Sequence, residues 1–568
     1  MRINIPISWS ALVFVVALQA ASSITRAGTD DALTRELQRD VVLRALVDEQ
    51  ERNRTGLSMP DLPSPYFIEY GLTDARSFQV VAELGAVTAR NDARNRRMRA
   101  DVRVGSYELD NTNFRGAGFG GFGGGFGDAS LPTDDDYNAL RQRVWWASDR
   151  RYKEVVESYA EKKAFMESRV IDDKANDFSR EEPTIHFDGP IPLQVESELL
   201  EQLAIRLSAV FREFLDLKES SVTLVGVAGQ KYLVNTEGTR LRTSLRRYSI
   251  SAVAKVQADD GMELSSAVQL EVRRYEKLPT LEELSKQVRE MANQLLAVRK
   301  APLLEAYSGP VLFEAEAAAG LFLRLFGNRF AGGQRPVGSR ANPDDFANKL
   351  NKRILPRFVQ VVDDPTLEVL EGATIMGHYD FDDQAVRARS VRLVENGRLL
   401  SLLMSRNPSK EFSRSTGHGR GLFAPRAMAG CMVVSGSQPL APSALRQELN
   451  ESCQDEGLEF GIRIAAMGTV GTGRGGPEGG GGAPLLIYKV FSDGREELVR
   501  GAELARVDMK AFKRILALGD TPHVLNVVSV AAQTVAAPAM LFEELDLAKI
   551  DRDFERPPIL PPPLARAQ

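Results

Sequence analysis

Two spacings of apolar residues run through the chain, one of about 3.6 residues and one of two, and they predict helices and strands respectively. In the first half, helices are predicted at 30–56, 133–168, 193–215 and 281–299. Strands are predicted between them, at 66–70, 77–87, 222–227, 230–235, 240–258 and 262–275. This half is therefore expected to be a mixture of helices and sheet.

A short buried strand followed by a helix is predicted at residues 309–328, GPVLFEAEAAAGLFLRLFGN. The apolar residues 311–313 follow a Gly-Pro pair, which is typical of a strand start. Glu314 and Glu316 suit the positive end of a helix dipole. Four apolar side chains then recur at helical spacing, namely Leu321, Phe322, Leu325 and Phe326. Gly327 is a typical helix end.

Short strands separated by Gly and Asn turns dominate the rest of the second half. A hairpin is predicted from 388–394 and 398–404, joined by Glu395-Asn396-Gly397. Residues 523–543 are apolar and rich in β-formers. The whole pattern predicts an α+β fold, with a mixed N-terminal region followed by a β-rich C-terminal domain.

Composition changes mark the expected boundaries between regions. We expect an N-terminal α+β region at 28–188, a central strand-rich domain at 189–302, a β-rich domain at 303–552 and a proline-rich, disordered tail at 553–568. Glycine-rich segments at 116–127 and 468–482 are predicted to be surface loops. The first of them lacks the lysine and the strand-to-helix frame of a phosphate-binding loop.

The N-terminus has the layout of a secretory signal peptide at residues 1–27. Arg2 precedes an apolar run at 5–20, and small residues follow it. Ser8 and Ser10 interrupt the run, which makes it short for a membrane span. We expect an exported protein, periplasmic or extracellular, with no transmembrane span after signal removal; an uncleaved N-terminal anchor is the alternative.

The net charge and the numbers of cysteines and histidines argue against some classes of function. The net charge is -5 over 568 residues, so no nucleic-acid partner is expected. An arginine-rich run at 90–103 alternates with apolar residues, which predicts a strand with one solvated basic face. Two cysteines and four histidines argue against a Cys/His-rich zinc module. A disulfide between Cys431 and Cys453 is left open.

Five short motifs, in the same order, resemble those of the TldD/PmbA family, also called modulator-of-DNA-gyrase proteins. They are Asn235-Thr236-Glu237-Gly238, residues 295–302 with 309–312, Phe381-Asp382-Asp383 with 394–399, Ser415-Thr416-Gly417-His418-Gly419-Arg420, and residues 536–545. The resemblance covers about residues 190–548. It implies a two-part chain with a β-rich C-terminal domain, and a homodimer or a heterodimer with another family member.

The resemblance also implies a zinc peptidase motif, His-Glu-x-x-x-His, on the helix within 309–328. In that motif two imidazoles hold the metal and a glutamate takes a proton from the bound water. This chain has Leu323, Arg324 and Asn328 at the three motif positions. The family's third ligand, a late cysteine, has no counterpart after Val524. No zinc or other cofactor is therefore expected, and the catalytic residues stay unknown.

Other residues could form a site. His378, Asp380 and His418 are an alternative metal set, whereas the simpler interpretation of the Asp382-Asp383 turn is hydrogen bonding to nearby backbone. By resemblance, a groove is expected to be lined by Asn235, Gly238, Gly417, His418 and Arg420.

Three functions follow from these residues. The first is a metallopeptidase-related protein without its own metal site, acting as a peptide-binding or partner subunit with a peptide or protein ligand. The second is an active metallopeptidase that carries out proteolysis with a non-standard metal site. The third is a non-enzymatic envelope scaffold that uses its glycine-rich loops and proline-rich tail.

Overall fold

The computed structural model describes residues 33–115, 127–168, 174–339, 345–421, 423–468, 484–505 and 507–550. The predicted signal peptide and the proline-rich tail lie outside these ranges, as do almost all residues of the two glycine-rich segments. Within the described ranges, no helix has both the length and the apolar character needed to cross a bilayer.

The N-terminal half is built on one seven-stranded sheet. Its elements are α1 (33–39), α2 (Val41–Gly56), β1 (Pro65–Glu83), β2 (Ala86–Val104), β3 (Gly127–Ser130), α3 (Tyr137–Glu167), β4 (Ile185–Phe187), α4 (Ser197–Ala209), β5 (Glu219–Asn235), β6 (Arg240–Gln257), β7 (Glu263–Val272) and α5 (Leu281–Lys300). The strand order is β3-β2-β1-β5-β6, and β6 also pairs with β4 and β7. Strands from both predicted regions, 28–188 and 189–302, thus share a single sheet.

The helices of this half lie on one face of the sheet. Strand residues alternate between faces, so Tyr70 and Val80 of β1 point to the same side. Tyr70 belongs to the core cluster formed with α2 and α3, and Val80 to the cluster formed with α4 and α5. The opposite face of the sheet carries Leu233, which packs against Phe381 and Ala385 of the second half. This second face therefore meets the C-terminal domain.

The C-terminal half is built on an eleven-stranded mixed sheet. Its elements are β8 (Ala306–Phe313), α6 (Ala315–Phe326), β9 (Val359–Asp363), β10 (Val369–Leu370), β11 (Ala373–Thr374), β12 (Val391–Glu395), β13 (Arg398–Leu399), β14 (Gly419–Arg420), β15 (Arg426–Ala427), β16 (Cys431–Gly436), α7 (Pro442–Asp455), β17 (Phe460–Met467), β18 (Pro484–Phe491), β19 (Glu496–Val499), β20 (Ala502–Leu504), α8 (Met509–Phe512), β21 (Ile515–Val528) and β22 (Ala532–Lys549). The order is β13-β12-β9-β16-β22-β8-β17-β18-β19, with β20 and β21 paired to β22.

Helices cover both faces of this sheet. On β8, Val311 and Phe313 enter the large core with α6, whereas Leu312 points to the other face and packs with Leu449 of α7. The three-residue apolar run of the sequence is thus a strand buried on both sides, as central strands are. Short 3₁₀ helices at Val210–Glu213, Tyr275–Lys277 and Phe346–Lys349 complete the described elements.

The predicted α+β class is confirmed, and so are several local predictions. β8 and α6 occupy the segment predicted as strand and helix. The predicted hairpin is β12–β13, in which Asn396 and Gly397 have φ of 49° and 72°. These positive values are what a two-residue hairpin turn of this type requires. The paired strands are shorter than predicted, because the chain leaves the sheet after Leu399.

The prediction of a solvated basic face on β2 is wrong for three of its arginines. Arg96, Arg99 and Arg103 are at most 5% exposed. Each forms an ion pair with a carboxylate: Arg96 with Asp74, Arg99 with Glu69, and Arg103 with Asp101 and Asp110. Charged groups are buried when such partners replace water. These three arginines thus form buried ion pairs instead of facing solvent, whereas Arg90 and Arg97 of the same strand are exposed.

Candidate functional site

Two of the three peptidase-like positions, Leu323 and Arg324, lie in the last turn of α6, and the third, Asn328, follows the end of the helix at Phe326. Leu323 is half-buried, and Arg324 and Asn328 are exposed. α6 is packed into the C-terminal core through Leu321, Phe322 and Phe326, and Leu323 also packs against this core. The three positions therefore do not share one helix face: Arg324 is exposed on the helix, and Asn328 is exposed beyond its end.

These three residues do not fit a zinc ion. A leucine side chain has no lone pair, and a guanidinium is a cation with no acceptor atom. Asn328 offers a carboxamide, which is not among the usual imidazole, thiolate and carboxylate ligands of zinc. Within the described parts of the chain, no group of three His, Cys, Asp or Glu side chains is placed to hold a metal ion.

His418 is fully buried next to β9 and has both ring nitrogens engaged. Its Nε2 lies 3.1 Å from Oδ1 of Asp363, and its Nδ1 lies 3.0 Å from both oxygens of Thr416, the hydroxyl and the carbonyl. Asp363 also accepts hydrogen bonds from the backbone N–H of Gly430 and Cys431. These contacts hold the loop before β14 against the central sheet. The surroundings of His418 are therefore those of a buried residue that stabilises the fold.

His378 and Asp380 lie in a neighbouring loop with other partners. The Nδ1 of His378 is 3.0 Å from the carbonyl oxygen of Pro365, and its Nε2 is 4.0 Å from Oε1 of Glu368. Asp380 is exposed, and its carbonyl oxygen accepts from Ala388 N–H. Each member of the alternative metal set thus has its own local contacts, and metal binding by the set stays a prediction.

The aspartates of the Asp382-Asp383 turn hydrogen-bond to backbone N–H groups, which is the simpler of the two interpretations of this turn. Asp382 accepts hydrogen bonds from the backbone N–H groups of Gln384, Val386 and Gly419, at 2.7–2.9 Å. Burial raises its pKa to about 7 against the opposing effect of these donors. For Asp383, burial alone would raise the pKa, but Lys231, Arg420 and the Gly421 N–H lower it to about 2.

Charged pairs connect the N-terminal sheet to the C-terminal domain. Lys231 of β5 donates to Asp383 at 3.0 Å. Glu237, in the predicted Asn-Thr-Glu-Gly turn, binds the guanidinium of Arg406 with both carboxylate oxygens, at 2.7 and 2.8 Å. The Arg406 guanidinium also lies 3.9 Å from the ring centroid of Phe178. Sequence reasoning missed Lys231 and Arg406, because neither lies in a motif.

The predicted groove residues have packing roles around this contact. Asn235 is buried and uses Oδ1 to accept from the N–H of Glu237 and Thr239. Gly238 and Gly417 have φ of 107° and 78°, values that favour glycine. Arg420 is 6% exposed, with its guanidinium 4.0 Å from the ring centroid of Tyr379.

A cavity of about 210 Å³, which we call the interdomain cavity, lies between the two halves of the chain. The N-terminal half contributes Arg103, Asn111, Thr112, Asn113, Phe114, Arg151, Ser158, Asp177 and Phe178 to its lining, and the C-terminal half Gly332, Pro336, Gln384, Ser405, Arg406, Asn407, Pro425, Arg426 and Ala427. The five predicted groove residues are not among them. No sequence signal marks this lining, because its members come from many separate segments.

The two cysteines are buried and are not bonded to each other. Burial, with a contribution from Asp363, raises the pKa of Cys431 to about 12. Cys453 packs against Leu449 of α7 on the other face of the sheet. The disulfide left open by the sequence is therefore not formed in this structure.

Residues 306–458 match the family model described as the PmbA/TldA metallopeptidase C-terminal domain. A protein of Archaeoglobus fulgidus named "Metalloprotease" is 24% identical over 295 residues, 52% of this chain and 59% of that protein. A metalloprotease of Methanocaldococcus jannaschii is 36% identical over 80 residues, 14% of this chain and 17% of that protein. The aligned region thus spans less than two thirds of either relative.

Solved structures share the fold over most of the chain. TldE from Thermococcus kodakarensis superposes with a TM-score of 0.58 at 14% identity, covering 89% of this chain and 100% of that one. A candidate modulator of a DNA gyrase from Thermotoga maritima gives a TM-score of 0.57 at 15% identity, covering 85% and 96%. Such low identities show the fold alone. Residues 306–458 thus match the C-terminal domain of the PmbA/TldA family, and the chain as a whole shares the fold of these solved structures.

Proposed function

We propose that this chain is an exported member of the family that lacks the zinc site and acts as a peptide-binding or partner subunit. The observation that carries the proposal is the identity of the three residues at the peptidase-like positions, Leu323 and Arg324 in α6 and Asn328 just after it. None of the three side chains can replace a histidine ligand or the glutamate base of a zinc peptidase.

The contact between the two halves supports the peptide-binding part of the proposal. Ligand sites occur preferentially where domains meet and where a few polar groups converge in a concave space. The interdomain cavity has this position, and its lining includes guanidinium, carboxamide and hydroxyl groups. A bound peptide would contact both halves of the chain there.

The deciding experiment is the zinc content of the purified mature protein, prepared without chelator and measured by elemental analysis. The proposal expects far less than one zinc per chain. It also expects binding of a mixed tripeptide library, measured by equilibrium dialysis, without cleavage of the peptides. Near-stoichiometric zinc would overturn the proposal, and so would peptide hydrolysis that a chelator abolishes.

A second candidate function is an active metallopeptidase with a non-standard ligand set. The names of the two archaeal relatives favour it, because both are called metalloproteases. This candidate requires His378, Asp380 and His418 to contribute ligands, so it expects bound zinc that is lost in His378→Ala. A zinc content that is equally low in wild type and in His378→Ala would exclude this ligand set.

Export and pairing are further parts of the proposal. Arg2 and the apolar run at 5–20 support export, and the family resemblance supports a homodimer or a heterodimer with another family member. N-terminal sequencing of the protein secreted by its host is expected to start near residue 28. Light scattering of the purified chain is expected to give the mass of a dimer, or of a monomer that dimerises when a family member is added.

A further inference from the structure

A groove with apolar walls lies on the helix layer of the N-terminal half, between α4 and the segment that leads into α5. We call it the α4–α5 groove, and its apolar lining residues are Leu199, Leu203, Tyr275, Leu278, Pro279 and Leu281. Its volume is about 330 Å³, within the range of roughly 300–1,000 Å³ that is typical of ligand sites. Leu199 is 47% exposed, so the described residues leave this apolar wall open to solvent.

The base of the groove is held in place by the core of the same half. The ring of Tyr275 packs edge-on against Tyr248, with 5.9 Å between the ring centroids, and Tyr248 belongs to that core. Leu203 is partly buried against the same core. At the α5 end of the groove, Thr280 and Glu283 form a capping box that fixes the start of the helix. The groove therefore exists without a ligand in it.

Three polar groups of the lining can donate hydrogen bonds to a ligand. They are the hydroxyl of Tyr275, the amide of Gln202 and the guanidinium of Arg206, and none has a hydrogen-bond or ion-pair partner among the described residues. Gln202 and Arg206 are exposed, and the Tyr275 hydroxyl is not among the enclosed atoms that lack a partner. The groove is thus suited to a ligand that is apolar and has free carbonyl oxygens.

A proline-rich segment has this chemistry. Proline has no N–H, and a polyproline II helix has no internal hydrogen bonds, so its carbonyl oxygens stay free to accept from donors. Such segments bind in aromatic-lined grooves, because the helix is already formed and little conformational entropy is lost. The chain contains one at residues 557–564, PPILPPPL, outside the described ranges.

The last described residue, Ile550, lies next to the other end of α5. Its N–H donates to the carbonyl oxygen of Gly501 at 2.8 Å, and the neighbouring Arg500 donates to the carbonyl oxygen of Ala301, the C-cap of α5. α5 has 20 residues and is about 30 Å long, so the groove at its first turn lies at about that distance from Ile550. Ten residues of polyproline II span about 31 Å, which brings Leu560 to the groove.

The residues between Ile550 and the proline-rich segment suit the surface that they would follow. Residues 551–556, DRDFER, contain five charged side chains. The solvent side of α5 is polar, with exposed residues that include Lys286, Glu290 and Asn293. A charged linker stays solvated along such a surface, whereas the apolar side chains of 557–564 gain from burial.

We propose that the α4–α5 groove binds residues 557–564 of the same chain as a polyproline II helix. The apolar side chains of this segment, Leu560 among them, would cover the wall at Leu199. Its carbonyl oxygens would accept hydrogen bonds from the donors at Tyr275, Gln202 and Arg206. The groove is then a docking surface for the proline-rich tail of the chain, and this inference does not depend on the peptide-binding function proposed above.

Disulfide formation in the full chain tests the docking. In Leu199→Cys/Leu560→Cys, mild oxidation should link the two positions, and mass spectrometry of the unreduced peptides identifies the link. The two native cysteines are buried, so they do not compete. The reaction should be at least about tenfold faster than in the control Leu84→Cys/Leu560→Cys, because docking raises the effective concentration at one place only.

Leu84 is a matched control site for three reasons. It is 38% exposed, its carbonyl oxygen accepts from Arg212, and it does not line the groove. The residue after Arg212, Glu213, pairs with Arg289 of α5, so Leu84 lies in the same helix layer. Equal rates for the two cysteine pairs would show tethering alone and would overturn the proposal.

Three further results decide between docking and simple tethering. Pro561→Gly, Pro562→Gly and Pro563→Gly together keep the tail length but remove its polyproline preference, so they should slow the reaction at Leu199 about tenfold. Tyr275→Phe keeps the ring, loses the donor and should slow it several-fold. An unchanged rate in the glycine variant would overturn the proposal. Disulfides between two chains, whose yield rises with protein concentration, would assign the groove to the tail of a second copy and overturn docking within one chain.

Discussion

Glu237 and Arg406, 169 residues apart in the chain, form a bidentate ion pair with oxygen–nitrogen distances of 2.7 and 2.8 Å across the contact between the two halves. Glu237 also accepts a hydrogen bond from the hydroxyl of Tyr107 at 2.8 Å. Arg406 donates to the carbonyl oxygen of Ser179 as well. This pair, together with Lys231–Asp383, sets how the N-terminal sheet lies against the loops of the C-terminal domain.

Removal of Arg406 should destabilise the protein strongly. In Arg406→Ala the largely buried carboxylate of Glu237 keeps one partner among the described residues, the hydroxyl of Tyr107. We therefore expect a loss of about 3 kcal/mol in the free energy of unfolding. Urea unfolding followed by circular dichroism measures it. The matched control is Arg392→Ala, whose pair with Glu395 is 60% and 37% exposed at the side chains and should cost less than about 1 kcal/mol. Equal losses in the two variants would contradict this prediction.

The pair between Lys231 and Asp383 should make stability depend on pH in the acid range. The pKa of Asp383 is lowered from 3.8 to about 2, so the stabilisation is complete above about pH 4 and is lost as the pH falls through 2. At pH 5 the free energy of unfolding of the wild type should therefore be about 1 kcal/mol greater than that of Lys231→Met. This figure is kept small because the lysine is partly exposed and solvent screens the pair. The difference should shrink toward pH 2.

Thermal unfolding of both proteins from pH 2 to 6 measures this dependence. Lys255→Met is the control, because its pair with Glu219 is 45% and 57% exposed at the side chains. At pH 5 it should lower the free energy of unfolding less than Lys231→Met does. A difference between wild type and Lys231→Met that grew as the pH fell would contradict the assignment to Asp383.

His418 and His378 should differ in their contribution to stability. His418→Ala removes a fully buried ring with contacts to Asp363 and Thr416 and leaves a cavity, so a loss of about 3 kcal/mol is expected. The His378 side chain is 13% exposed and contacts the carbonyl oxygen of Pro365 through Nδ1, so His378→Ala should cost less, about 1 kcal/mol.

Thermal unfolding with and without a chelator distinguishes this packing role from a metal role. The melting temperature of the wild type should not change when the chelator is added. A decrease that His418→Ala and His378→Ala both abolish would instead support the alternative metal set.

Replacement of Gly417 by alanine tests how tightly the turn before β14 is packed, and the same replacement at Gly372 is the control. Their φ values are nearly the same, 78° and 77°, so an alanine at either position adopts the left-handed conformation at a cost of about 1–2 kcal/mol. A Cβ at Gly417 would also collide with the carbonyl oxygen of Arg387, whereas a Cβ at Gly372 meets no atom within 4 Å. We expect Gly417→Ala to cost about 3 kcal/mol or more, since overpacking adds to the strain. Equal melting temperatures for the two variants would show that the turn relaxes freely.

Local elements of the fold were predictable because their signals lie within a few neighbouring residues. The spacing of Leu321, Phe322 and Phe326 predicts α6 and its buried face, and the structure confirms both. Asn396-Gly397 predicts the β12–β13 turn, because these residue types adopt positive φ readily. The Asp382 turn was likewise predictable, since an aspartate accepts hydrogen bonds from backbone N–H groups two and four residues ahead.

The environment of β2 was not predictable in the same way. Its alternating pattern is typical of a strand with one solvent-exposed face, and the predicted strand is confirmed. The arginines at 96, 99 and 103 are nevertheless buried. A charged residue looks the same in sequence whether its partner is water or a carboxylate on a neighbouring element, so the pattern cannot distinguish the two cases.

The sequence by itself determined the local elements, the family resemblance and the identities of Leu323, Arg324 and Asn328, since each depends on residues that are close along the chain. Only the tertiary structure decided that the strands of 65–272 form one sheet, that Glu237 binds Arg406, and that Arg426 and Asn407 share a cavity. Such contacts join residues that are far apart in sequence. The free energy of burying these residues depends on which surfaces the fold brings together. This dependence leaves no periodic pattern along the chain from which the contacts could be predicted.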